Sequence, residues 1–107
     1  MNFPIALYLA VLVSGSSGNA LAPEQTSLNR GEKLLQTHCK GCHAIGLNGA
    51  STHPKAPPFR DVMQRYPADN LAEALAEGIV SGHPAMPEFV FSVSEIDQII
   101  RYLDTLK

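Results

Sequence analysis

The pentapeptide CKGCH, residues 39–43, places two thiols three positions apart and a histidine directly after the second. The chain of 107 residues contains no other cysteine. Four kinds of site use such residues: a disulfide, a redox dithiol, a zinc site and a covalently attached haem. Because five residues can match a motif by chance, the rest of the sequence has to decide among them.

The N-terminal segment has the character of an export signal. The apolar run FPIALYLAVLV, residues 3–13, is shorter than the roughly 20 residues that a membrane-spanning helix needs, and it suits the apolar region of a signal peptide. The small and polar stretch SGSSGNALA follows. We therefore predict a signal peptide at residues 1–22, cleaved near Ala20 or Ala22, a domain at residues 23–107, and a periplasmic location. Since no Lys or Arg precedes the apolar run, an uncleaved anchor is the alternative.

Hydrophobic periodicity predicts helices in the first half of the domain. The first helix begins near Ser27, its expected N-cap, and runs through LNRGEKLLQTH. Four of its residues share one face: Gly31, Leu34, Leu35 and His38. The stretch AIGLNGASTHPKAPP is rich in Gly, Ser, Asn and Pro and is predicted to be loop. A second short helix covers FRDVMQRY and is closed by Pro67.

Two further helices are predicted from capping signals. Asn70 and Glu73 have the spacing of a capping box, and so do Ser92 and Glu95. Apolar residues repeat at helical spacing along the last helix: Ile96, Ile99, Ile100 and Leu103. Since no stretch alternates like a strand, the fold class is all-α. A mature domain of about 85 residues buries little surface and usually needs a staple, a metal or a cofactor.

Three of the four interpretations of CKGCH fit this context poorly. A redox dithiol normally belongs to a βαβ unit, and no such pattern is present. A structural zinc site needs four ligands, and none of the histidines His38, His53 and His83 is paired at zinc-finger spacing. A disulfide between Cys39 and Cys42 would close a very small loop and stabilise little.

The remaining interpretation, c-type haem attachment, explains every position of the motif. The Cys39 and Cys42 thiols can each add across one vinyl group of a porphyrin, and two intervening residues let one turn of chain reach both groups. His43 then lies over the iron and can present a neutral imidazole nitrogen as the proximal ligand. In an exported all-α domain, the sequence therefore predicts one haem c bound through Cys39, Cys42 and His43.

Met86 is the predicted sixth ligand of the iron. It lies in HPAMPEF, an irregular loop that Pro84 and Pro87 stiffen by fixing φ near −65°. Met63 lies in the second predicted helix and is interpreted as a core residue. The chief alternative to Met86 as sixth ligand is His83, on the same loop. The preferred interpretation of His83 is an exposed loop histidine. A His/Met pair raises the reduction potential and leaves the iron no open position for substrate, so the sequence predicts electron transfer and no enzyme activity.

These features resemble class I c-type cytochromes, particularly the small bacterial single-haem type. The resemblance extends over essentially the whole mature chain and depends on CKGCH, APPFRDV, GHPAMPEF and SVSEIDQIIRYLDTLK. It implies the small cytochrome c fold, in which about four short helices pack around one covalent haem. It further implies that Gly31 on the first helix contacts Tyr102 on the last. It also implies that the Pro57 carbonyl, with Pro58 as the alternative, accepts the second ring hydrogen of His43.

Because of two departures from the family pattern, the resemblance does not identify the residues that contact the haem propionates. The chain has no tryptophan, and Leu35 stands where many relatives have an aromatic residue. Arg60 and Arg65 are candidates for contacting the propionates, although solvated surface is the preferred interpretation of both.

Charge is distributed unevenly along the sequence and bears on the choice of partner. The net charge is −2, with six basic and two acidic residues in 30–65 and two basic and seven acidic residues in 66–107. Such a dipole can orient a redox partner protein, or it can be ordinary surface. No basic, aromatic nucleic-acid surface and no catalytic triad or carboxylate pair is present.

The leading hypothesis is a soluble electron carrier with no stable membrane insertion, acting as a monomer. The alternatives are a gas-binding or sensing cytochrome with a labile sixth ligand, and a haem subunit of a dehydrogenase or oxidase complex.

Overall fold

The computed structural model describes residues 21–78 and 85–107. Most of the predicted signal peptide, together with His83 and Pro84, lies outside the described residues. Within them the chain forms four α-helices and no strand. The helices are α1 (Pro23–His38), α2 (Phe59–Arg65), α3 (Ala68–Glu77) and α4 (Val93–Asp104). The predicted all-α fold class is confirmed.

Helix α1 begins five residues earlier than the sequence suggested, because its N-cap is Ala22 and not the expected Ser27. Its first residue is Pro23, and the N-cap residue is Ala22, whose carbonyl accepts a hydrogen bond from the Thr26 N–H at 3.0 Å. Proline suits the first helical position because it has no N–H to leave unpaired and its φ angle is already helical. Ser27 was therefore the wrong start: it lies inside the first turns of the helix.

Helix α3 also begins without the predicted cap. The N-cap residue is Pro67, whose carbonyl accepts hydrogen bonds from the N–H groups of Asn70 and Leu71 at 3.1 and 3.3 Å. Asn70 is consequently inside the helix, and the capping box expected from Asn70 and Glu73 is wrong. Tyr66 is extended, as the residue before a proline usually is, and it ends α2.

The capping box at the start of α4 is confirmed. The Ser92 hydroxyl accepts a hydrogen bond from the Glu95 N–H at 3.1 Å, and the Glu95 carboxylate accepts one from the Ser92 N–H at 2.9 Å. These bonds to Ser92 lower the pKa of the Glu95 carboxyl. Ile96, Ile99 and Leu103 are buried on one face, as the periodicity predicted.

The core lies where α1 and α4 cross and where the loop after CKGCH folds over them. Its buried members come from helices, loop and C-terminus alike: Leu35, Ile45, Met63, Ile99, Leu103 and Leu106. Met63 is only 4% exposed, in keeping with a core residue. The Tyr102 hydroxyl donates a hydrogen bond to the Ile45 carbonyl at 2.8 Å and so joins α4 to the haem-motif loop. Burial raises the pKa of Tyr102, which keeps its proton on the phenol.

Gly31 is the point of closest approach between α1 and α4. A Cβ atom at this position would overlap the Gln98 carbonyl and lie 3.1 Å from the Tyr102 Cβ. The contact between Gly31 and Tyr102 that the resemblance implied is present, but the backbone of Gln98 is the nearer neighbour. Glycine is needed here because two helix backbones meet with no room for a side chain.

We expect Gly31→Ala to lower the free energy of unfolding by about 2 kcal/mol, because moving two helices apart costs more than the better helix propensity of alanine returns. Chemical denaturation of the holoprotein measures the change. Gly46→Ala is the matched control, since a Cβ there meets nothing within 4 Å. Equal stability of the two variants would contradict the close-packing explanation.

No described helix is both long and apolar enough to cross a bilayer.

Candidate haem site

The CKGCH motif forms a tight turn directly after the last residue of α1. The Cys39 N–H donates to the Leu35 carbonyl at 2.8 Å and so continues the helical bonding pattern by one residue. The Cys39 carbonyl then accepts hydrogen bonds from the N–H groups of Cys42 and His43 at 3.1 and 2.9 Å. The turn brings both cysteines and the histidine to the wall of one cleft.

This cleft has a volume of about 460 Å³ and a mainly apolar lining. Four of the five predicted site residues come from the two loops that enclose it: Cys42, His43, Pro57 and Met86, with Cys39 at the end of α1. Apolar and aromatic side chains supply much of the rest of the wall: Phe59, Val62, Tyr66, Leu71 and Phe89. An apolar wall with a few nitrogen and sulfur atoms fits a macrocycle that is itself apolar and carries a metal at its centre.

His43 is held by two contacts from the segment that leads into α2. Its Nδ1 atom lies 2.7 Å from the Pro57 carbonyl oxygen. A carbonyl can only accept a hydrogen bond, so Nδ1 is the donor, and in the neutral imidazole the free lone pair is then on Nε2. The Phe59 ring stacks on the imidazole with centroids 4.6 Å apart and planes 17° apart.

Backbone hydrogen bonds fold the following loop back onto the haem motif. The His53 N–H donates to the Cys42 carbonyl at 3.1 Å, and the Phe59 N–H donates to the Ala44 carbonyl at 3.0 Å. The Ala44 N–H in turn donates to the Ser51 hydroxyl at 3.0 Å. These bonds set the position of Pro57, fourteen residues along the chain from His43.

The two cysteines differ in their surroundings. Cys39 is partly buried, whereas Cys42 is exposed. Burial, with a smaller contribution from Cys42, raises the pKa of the Cys39 thiol to about 11. Among the described residues no three His, Cys, Asp or Glu side chains are arranged so that they could hold a metal ion.

The two methionines of the domain occupy different environments. Met86 is half-buried and lines the cleft, whereas Met63 is in the core and is not part of its wall. Met86 therefore lines the same cleft as His43. The rival His83 lies outside the described residues.

Arg60 is not the solvated surface residue that the sequence favoured. Its guanidinium donates to the Gly49 carbonyl at 2.6 Å and to the Gly46 carbonyl at 3.4 Å. The side chain therefore links the start of α2 to the loop that follows CKGCH. Arg65, by contrast, is exposed, as expected.

Phe59 is a site residue that the sequence reasoning did not identify. Its contact with His43 is long-range, and the only local signal was an aromatic residue directly after the two prolines of APPFRDV. The sequence reasoning also did not identify the ring contacts of His38, which is exposed but lies against Phe89 and Phe91.

The fold and the cleft together define a class: an all-α protein whose apolar cleft is lined by a CxxCH turn and by the loop that carries Met86. Comparison with known proteins identifies the family. Residues 28–107 match the cytochrome c family model, and the chain belongs to that family. It therefore carries haem c, covalently attached through its only two cysteines, and transfers electrons between redox partners.

Two similar proteins differ in how much of their length is matched. Cytochrome c-552 of Bradyrhizobium diazoefficiens is 31% identical over 99 residues, which cover 92% of this chain and 90% of that protein. Cytochrome c oxidase subunit 2 of Alkalihalophilus pseudofirmus is 30% identical over 89% of this chain, but the match spans only 30% of the subunit. No solved structure gave a significant match.

Proposed function

We propose that this chain is an exported, soluble carrier of one electron whose haem iron is ligated by His43 and Met86. One observation carries the proposal: both side chains line the same apolar cleft as the two cysteines. When bound there, the haem supplies reversible one-electron exchange between ferric and ferrous iron.

The surroundings of His43 suit a proximal ligand. The Pro57 carbonyl holds the ring hydrogen on Nδ1, so Nε2 is the nitrogen with a lone pair to offer a metal. The stacked Phe59 ring limits rotation of the imidazole and keeps water from one of its faces. A carbonyl partner also fixes the orientation in which the ring would present Nε2 to the iron.

The properties of Met86 favour a carrier over a catalyst. A thioether is a soft ligand that raises the reduction potential, and two protein ligands leave no position for a substrate. We therefore propose that the protein is not an enzyme. The sensing alternative would require a readily displaced Met86, and the fixed φ of Pro87 directly after it opposes such motion.

Export is supported by sequence alone. The apolar run at residues 3–13, followed by small residues up to Ala20 and Ala22, has the pattern of a signal peptide. Attachment of haem c to an exported domain agrees with a periplasmic location. We propose that residues 1–22 are removed and that residues 23–107 form the working domain.

Absorption spectroscopy of the exported holoprotein tests this proposal. The protein is produced in a host with haem c maturation machinery, and spectra of the oxidised and reduced forms are recorded before and after carbon monoxide is added. We expect sharp low-spin bands that do not change with the gas, because both axial positions are filled. The intact mass of the same preparation should equal that of the shortened chain plus one haem.

A rapid spectral shift with carbon monoxide would contradict His/Met ligation and favour the gas-binding alternative. A second alternative is a haem-bearing part of a larger redox complex, in line with the similarity to an oxidase subunit. We prefer the carrier, because the similarity to cytochrome c-552 extends over 90% of that protein rather than over one part of it.

A further inference from the structure

Met86 lies in an irregular segment, Met86 to Phe91, that leads toward α4. In the part of the chain that the structure describes, Met86 to Phe91 belong to no helix and make no hydrogen bond to another element. Contacts between side chains, above all those of its two aromatic residues with α1, hold this segment.

The segment presents two aromatic rings to the protein. Phe89 and Phe91 stack on each other with centroids 5.7 Å apart, as neighbours two positions apart on an extended chain can. Val90, between them, is 95% exposed and so faces the other way. Phe89 lines the haem cleft and Phe91 packs against the core.

His38 is the residue against which both rings pack. Its imidazole meets Phe89 edge-to-face at a centroid distance of 5.5 Å and Phe91 at 5.4 Å. Such perpendicular arrangements are the favoured geometry for aromatic pairs. His38 is the last residue of α1 and directly precedes Cys39. It therefore joins the haem-attachment turn to the segment that carries Met86.

We propose that His38 is a positioning residue that holds the Met86 segment in place and so slows dissociation of the sixth ligand. This inference rests on the proposed ligation by Met86. His38 touches the segment three and five residues after the methionine. By packing against Phe89 and Phe91, His38 holds the segment, and with it Met86, close to α1.

Cyanide binding to the ferric holoprotein tests the proposal, because cyanide can bind only when the methionine leaves the iron. We expect His38→Ala to bind cyanide about ten-fold faster than the wild type, since two aromatic contacts are lost. The weak long-wavelength absorption of a methionine–ferric iron bond should persist in the variant, showing that ligation is loosened and not replaced. If His38→Ala yields too little holoprotein, His38→Leu replaces it, because leucine is similar in size to histidine but has no ring. His38→Leu should also bind cyanide faster than the wild type.

Three further variants separate positioning from general loss of stability. His38→Phe restores a ring and should return the cyanide rate to within about two-fold of the wild type. Gln36→Ala changes an exposed residue on the same turn of α1 and should have no effect. Leu106→Ala weakens the core away from the cleft and should lower the free energy of unfolding without faster cyanide binding.

The results that would overturn the inference are distinct from those that would overturn the function. Unchanged cyanide rates in His38→Ala and His38→Leu, or an equal acceleration in Leu106→Ala, would refute the role of His38 and leave His/Met ligation intact. A wild-type protein without the methionine–iron absorption would refute both.

Discussion

Replacing Cys39 and Cys42 together with alanine should abolish covalent haem attachment completely. The chain has only these two cysteines, and each thioether needs one thiol, so no other side chain can form the bond. Haem staining after denaturing electrophoresis, together with intact mass, measures the attachment. The single variants Cys39→Ala and Cys42→Ala are the matched controls, because each retains one thiol and should keep some covalent haem.

The double variant should also lose structure. The haem is proposed to fill an apolar cleft of about 460 Å³, which would otherwise stay open in a domain of this small size. Without the covalent bond, retention of haem depends on the axial ligands and the cleft wall alone, and we expect less helical signal in circular dichroism. Recovery of covalently bound haem from the double variant would defeat the central assignment of this site.

Met86→Ala should leave the haem attached but make the iron reactive. Removing the thioether opens the sixth position, so the ferrous protein should bind one carbon monoxide per haem within the mixing time, whereas the wild type should bind none. The reduction potential should fall, because the ligand that favours ferrous iron is lost. Absorption spectra and a redox titration of the same sample measure both effects.

Met63→Ala is the matched control, because it removes the same side chain from the core. We expect it to lower the free energy of unfolding by about 2–5 kcal/mol, as large-to-small changes in a core do. Its iron should remain unreactive toward carbon monoxide. If Met63→Ala opened the iron and Met86→Ala did not, the ligand assignment would be wrong.

Features encoded by neighbouring residues could be predicted from the sequence. CKGCH is contiguous, so its covalent chemistry does not depend on how the rest of the chain folds. The capping box of Ser92 and Glu95 and the buried face of α4 follow from spacings of three and four residues, which the helix itself brings together. The all-α class follows from the same periodicity.

Local signals were less reliable where several compete for one helix start. Ser27 and Asn70 both have good N-cap side chains, yet α1 begins at Pro23 and α3 begins directly after Pro67. In each case a proline has a backbone φ angle that suits the start of a helix. Ser27 and Asn70, a few residues further along the chain, are then ordinary helical residues and cap nothing. A capping pattern therefore indicates a nearby helix start but does not define it.

By itself the sequence determined the covalent cofactor, its attachment points and the helical class, because these depend on residues within one or two turns of each other. The tertiary structure alone decided what surrounds them. It placed the Pro57 carbonyl and the Phe59 ring against His43, and the backbone of Gln98 against Gly31. It also packed His38 against the segment that carries Met86. These contacts join distant parts of the chain, and no local pattern records which loop will meet which helix when the core forms.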